Sequence, residues 1–255
     1  MRDRAEQNRL VESVARLCAR AEDPLVLLEH VAARVRRGIP YAVAGWLLVD
    51  PDTMLITGVY EENVPREAHL ELIAIEVSEP DVNKFVDLAR GQVSAGALSA
   101  ATGGDLSRSR RWSRIYEPAG FGDELRAVFR SGPVVWGHAC LTRTADAPWF
   151  TPSEVETMAR LSSHVAHGIR TALVLHENDM TRDETPGLVV LDDDGRVRSA
   201  SPRAVEWLGP VEDDRLETSI VVNQIAAQAR ALADGADERP DGARPAPAPA
   251  VARVR

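Results

Sequence analysis

Leu98 to Val128 reads LSAATGGDLSRSRRWSRIYEPAGFGDELRAV, and the fold turns on how this stretch is read. It places a Gly-Gly break, a four-arginine segment (108–114), three aromatics and a Pro/Gly turn between two regularly patterned halves. A long structured insertion inside a compact domain is more often functional than accidental, so it reads as a lid over the sheet built by its neighbours.

N-terminal to it, Leu10, Val14, Leu17 and Ala21 follow a four-three-four spacing, which predicts a helix over 4–21 with one apolar stripe. Asp23-Pro24 starts a second helix, with Leu27, Leu28, Val31 and Val35 on its inner face and Gly38 and Pro40 as its stop. The period then becomes two. YAVAGWLLV (41–49), a turn at Asp50-Pro51-Asp52-Thr53 and a return at 54–60 predict a hairpin of central strands. Residues 65–75 and 80–90 read as helices, with Phe85 and Leu88 as buried anchors.

C-terminal to it, 125–130 and 134–144 are strands joined at Ser131-Gly132-Pro133. Thr151-Pro152-Ser153-Glu154 is a capping box. It opens a long helix on which Val155, Met158, Ser162, Val165, Ile169, Ala172 and His176 keep a three-four repeat. That stripe and the stripe of the first helix are expected to zip against a second copy. Leu10, Val14, Leu17, Val155, Met158, Val165 and Ile169 would form the interface of a homodimer. The order predicts an α+β fold, an antiparallel sheet with helices on one face.

A polar run, NDMTRDET (178–185), marks a boundary. Beyond it come a strand at 187–191, a turn at Asp192-Asp193-Asp194-Gly195, a strand at 196–200, a short helix from Ser201-Pro202 and a helix over 215–233. The Pro/Ala-rich segment 234–250 builds no core.

The chain of 255 residues carries a net charge of −9, which argues against a general electrostatic grip on nucleic acid. Lys84 is the only lysine among 30 basic residues, so arginine is the default cation here. The cluster Arg108, Arg110, Arg111 and Arg114 therefore reads as a solvated helix face, and Asp105 as the cap of the helix it precedes. Cys18 and Cys140 are the only cysteines, in unlike elements, which suits a reducing compartment but not a clustered-thiol enzyme. His164 and His167 are three apart on the long helix without a third ligand near in sequence, and the aspartate run lacks the spacing of a calcium loop. Neither a metal nor a cofactor is implied. With no signal peptide or apolar span, a cytoplasmic location is expected.

The run from Leu98 to Phe129, together with DPDTMLITG before it and WGHACLTR and WFTPSEVETMARLSSHVAHGIRTAL after it, resembles the sensory half of LuxR-type transcriptional regulators of actinobacteria that carry a GAF-like domain. PGLVVLDDDGRVRSASPRAVEWLG is similar to the start of the PAS-like unit that comes next in such proteins. The resemblance implies a GAF-like sensory and dimerisation domain over 1–178 and a partial PAS-like α/β unit over 186–255. It implies a small-molecule signal held between sheet and lid, and relay to a C-terminal helix-turn-helix that is not in these residues, through which alone DNA would be contacted. Trp46, Trp112, Tyr116, Phe121 and Trp136 could wall such a pocket, with Arg126 and His138 as polar handles, or could be core filling. Strand register decides between the two. A ligand-free dimerisation scaffold and a GAF-fold enzyme are the alternatives; no catalytic triad or metal pair favours the latter.

Overall fold

The computed structural model describes residues 2–20, 22–65, 68–179, 187–192, 196–208 and 222–228. Helices α1 (Arg2–Cys18) and α2 (Pro24–Gly38) lead into β1 (Val43–Val49) and β2 (Ile56–Glu62). Then come α3 (His69–Ser78), α4 (Phe85–Arg90), β3 (Ala95–Ala97), α5 (Leu98–Thr102), β4 (Phe121–Ser131), β5 (Val134–Thr144) and α6 (Pro152–Asp179). One antiparallel sheet of order β2-β1-β5-β4-β3 organises them.

The caps form as their residue types require. The Asp23 carboxylate accepts from the amides of Leu25 and Val26 at 2.9 and 3.2 Å, with Pro24 in the first turn. At α6 the Thr151 amide donates to Glu154 (2.8 Å) while the Glu154 amide donates to the Thr151 hydroxyl (3.2 Å), a reciprocal capping box. In the β1–β2 turn, one Asp50 oxygen accepts from the amides of Asp52 and Thr53.

Alternation along the strands separates two faces. Trp46, Leu48, Leu125, Ala127, Phe129, Ala139 and Leu141 join the main core under α1, α2 and α6. Leu47, Val49, Val128 and Val135 point the other way, where Phe85 and Leu88 of α4 cover them. The expectation of helices on one face only is thus corrected. The nearly unbroken apolar run of β1 is buried on both sides, and each side needs its own cover.

The expected zipper is corrected too. Val14, Leu17, Met158, Val165 and Ile169 are buried within this one chain, and Leu10 and Val155 pack on the same core. The stripes of α1 and α6 meet each other and α2, so they are not available to a second copy. Gly168 permits this closeness: a β-carbon there would come within 2.8 Å of Cys18 Cβ. Gly137 does the same between sheet and helix, because a β-carbon would stand 2.7 Å from the Leu47 carbonyl oxygen and 2.9 Å from Ile169 Cδ1.

Beyond α6, β6 (Val189–Leu191) and β7 (Val197–Ala200) form an antiparallel pair, succeeded by α7 (Pro202–Leu208) and a helical segment at 222–228. The Arg196 amide donates to the Asp192 carboxylate at 2.8 Å, as a turn needs; Asp193 to Gly195, and 234–250, lie outside the described residues. Helix 222–228 touches the large sheet. The Ile56 amide donates to Gln224 Oε1 at 2.6 Å, and Ile225 packs against the cluster around Leu47.

Candidate functional site

The α3–α4 side of the sheet is hollow. A cavity of about 430 Å³ is walled by strand residues Gly45, Leu47, Arg126, His138 and Cys140, by α3 and α4, and by Gln224 and Gln228 of the last described helix. A second hollow of about 320 Å³ adjoins it under residues 114–121, with Tyr116, Phe121 and Cys140 on its wall.

Register explains which candidates reach these spaces. Leu47 pairs with His138, and Trp46 with Ala139, so the histidine faces the cavity side and the tryptophan the core. Tyr116, Arg126 and His138 line the larger cavity; Phe121 lines the smaller, its ring 6.3 Å from that of Tyr116 and edge-on to it. Trp46 stacks on Phe129 in the main core at 5.9 Å, and Trp136 packs on the same core. These two are not pocket residues. Trp46 has the strand parity opposite to Leu47, and a register shift opposite Phe129–Arg130, where Gly137 and Val135 are successive partners, turns Trp136 to the core although it is only two positions from His138. Trp112, in a π-helical turn over Trp112–Tyr116, lines neither space.

The lid is redistributed accordingly. Residues 98–121 roof the smaller hollow but give only Tyr116 to the larger one, whose cover comes from α3, α4 and helix 222–228.

A buried ionic network anchors the cavity floor. Arg111 binds Asp81 (2.9 Å) and Glu124 (2.7 Å), with about 1% of its side chain exposed. Glu124 also accepts from the Tyr116 hydroxyl at 2.7 Å and from Arg126 at 3.0 Å, and Arg126 reaches Glu76 at 2.6 Å. Burial opposes the charge on Glu124, but the Arg111 and Arg126 guanidiniums outweigh it and hold the carboxyl below its ordinary range. Burial, then the Glu124 charge, pushes the Tyr116 hydroxyl well above its own.

Arg111 therefore departs from the solvated-face reading: two carboxylates draw it inside. Arg110 and Arg114 do lie exposed, on Glu79, while Arg108 donates to the Thr102 carbonyl. Asp105 makes no cap; its carboxylate takes the Ser107 hydroxyl at 2.6 Å.

Above this floor, Phe85 stacks on His138 with 4.2 Å between centroids and 6° between planes, and the Arg126 guanidinium lies 4.5 Å from the Phe85 centroid. His138 is buried and its Nε2 has no hydrogen-bond partner. Burial first, then the Arg126 charge, pushes its imidazole down to about 3, so it is neutral.

Stability should therefore depend on pH. The folded value lies below the unfolded one of about 6.5, so as pH falls the unfolded chain takes up this proton first and the fold loses stability between pH 6.5 and 3. From this group alone the loss is up to ~1.4 kcal/mol per pH unit. Urea unfolding should show wild type losing ~2 kcal/mol more than His138→Gln between pH 6.5 and pH 5. Parallel curves for the two proteins would refute the assignment.

The cysteines do not form a reactive pair. Cys18 lies in the main core and Cys140 on the cavity face, and burial raises their thiols to about 12 and about 11. His164 and His167 lie on the exposed side of α6. Among the described residues there is no group of three or more His, Cys, Asp or Glu placed to hold a metal ion, and no helix long and apolar enough to cross a membrane.

No protein-family model and no curated protein matches the chain. Similar backbones occur among solved structures. A GAF domain of a phosphoenolpyruvate-protein phosphotransferase from Coxiella burnetii is 10% identical with a TM-score of 0.46, covering 68% of this chain and 98% of its own. The GAF domain of a putative sensor histidine kinase from Pseudomonas syringae pv. tomato is 11% identical, TM-score 0.44, covering 70% and 94%. A free methionine-R-sulfoxide reductase from Neisseria meningitidis is 12% identical, TM-score 0.46, covering 66% and 91%. The chain's own fold is a five-stranded antiparallel sheet with helices on both faces; what the cavity does is a matter of its own side chains.

Proposed function

We propose that this chain is the sensory region of a signalling protein, a transcriptional regulator of the type its sequence resembles, that binds a small molecule in the larger cavity. The observation that carries this reading is a cavity of about 430 Å³, within the range of small-molecule sites, into whose wall a buried and unpartnered His138 is built. Buried polar groups are nearly always satisfied, and an orphan asks for a missing partner.

Relay has a physical route. Gln224 and Gln228 belong to the cavity wall and to the second unit at once, so an occupant that displaces Ile56 or Gln224 acts directly on the unit C-terminal to α6. The output is to a DNA-binding domain C-terminal to these residues. Dimerisation uses surface other than the α1–α6 stripes; Val174 and Leu175, exposed towards the end of α6, are apolar and available. The protein works in the cytoplasm and needs no catalysis of its own.

Native mass spectrometry of the chain purified from its own host tests this. A satellite mass that solvent extraction removes is expected. A chain that is bare in every preparation, and whose melting temperature no metabolite library moves, would favour a ligand-free scaffold.

A further inference from the structure

We propose that the larger cavity selects an uncharged, largely apolar molecule carrying a single hydrogen-bonding group, which is met by His138. This rests on the cavity being a ligand site and adds the chemical class of the occupant.

Three observations converge on that class. The wall is mainly apolar, from Leu47, Met54, Leu72, Ile73 and Phe85. Most charged groups that reach it already have a neighbour of their own. Glu76 takes Arg126 at 2.6 Å and the Phe85 amide at 2.8 Å, Glu61 stands 3.0 Å from His69, and the Lys84 ammonium donates to the Glu79 carbonyl at 2.8 Å.

The network beneath sets Asp81, Glu76 and Glu124 against Arg111 and Arg126, three carboxylates to two guanidiniums, which disfavours an anion. A cation would find no free carboxylate in this network, since each member already holds a guanidinium, and Glu61, the other carboxylate on the wall, stands beside His69. Arg90 also lines the cavity, but it is exposed, so water screens its charge.

Two imidazoles on the wall have an Nε2 without a hydrogen bond; His69 has the Glu61 carboxylate 3.0 Å away, whereas His138 has neither a hydrogen bond nor an ion pair. A neutral imidazole offers one donor and one acceptor, so it can meet a hydroxyl, a carbonyl or an amide, whereas it supplies no charge for an ion. Its flat stacking on Phe85 fixes the ring plane.

Calorimetry on the full chain with four probes of one size class tests the proposal: 2-naphthol, naphthalene, naphthalene-2-sulfonate and 2-naphthylmethylammonium. Naphthol is expected to bind at least tenfold more tightly than either ion and about fivefold more tightly than naphthalene, the ratio that one net hydrogen bond gives. His138→Phe should abolish the naphthol-to-naphthalene ratio and leave naphthalene bound. His138→Gln, which keeps a hydrogen-bonding group and provides a second variant if the first fails to fold, should restore part of it.

Binding of an ionic probe as tight as naphthol, or a ratio untouched in His138→Phe, would overturn this class while leaving the cavity a binding site. Failure of all four probes to bind would overturn the cavity reading and this inference with it.

Discussion

Arg111→Met is expected to lower stability by ~3–5 kcal/mol, because removing one member of a buried ionic group leaves the others charged and unpaired. Arg111 bridges Asp81 and Glu124 at 2.9 and 2.7 Å, and none of the three side chains is more than about 1% exposed. Methionine fills most of the volume but supplies none of the five donors. Against a typical total of about 5–15 kcal/mol, that loss unfolds a large fraction of molecules. Urea titration at pH 7 measures it. Adding Asp81→Asn to Arg111→Met should cost less than the two single losses summed, since the partners are coupled. A single-variant loss below about 1 kcal/mol would mean that water, not protein, satisfies these groups.

Trp46→Ala is expected to cost ~3–5 kcal/mol by opening a void in the main core. The ring is fully buried and stacked on Phe129 with planes 11° apart. Since it lies on the opposite face from both hollows, probe affinity measured on the folded fraction should be unchanged. Weaker binding without loss of stability would return Trp46 to the pocket.

How far these features are visible in the sequence depends on range. Short-range signals succeed: Asp23-Pro24, Thr151-x-x-Glu154 and the Asp50 turn act through hydrogen bonds spanning two to four residues, and each forms. The strand β3 is missed because Ala95-Gly96-Ala97 has none of the β-branched or aromatic residues that mark strands; its pairing with β4 is what defines it.

Among the site candidates, aromatic character was an uninformative guide, since Trp46 and Trp136 are core while His138 and Arg126 reach the cavity. A better signal lay in Asp123-Glu124-Leu125-Arg126, where Glu124 and Arg126 two apart in an otherwise apolar strand mark one face as polar. The destination of Arg111 was not legible. It depends on Asp81, 30 positions away, which only the fold brings near. Gln224 is a still longer case, 168 positions from the amide that it satisfies.

The strand order has a consequence for how the chain is made. β1 is the second strand of the sheet from its β2 edge, yet its inner neighbour is β5, and the paired residues Gly45 and Cys140 are 95 positions apart. During synthesis the β1–β2 hairpin therefore emerges with an apolar strand edge unmatched, and most of the domain must be translated before that edge is covered. Loops of this length are slow to close, so the non-local pairing sets the pace of folding, not the early helices. At translation rates of about 5–20 residues per second, a nascent chain spends several seconds in that state, and chaperone demand should concentrate there.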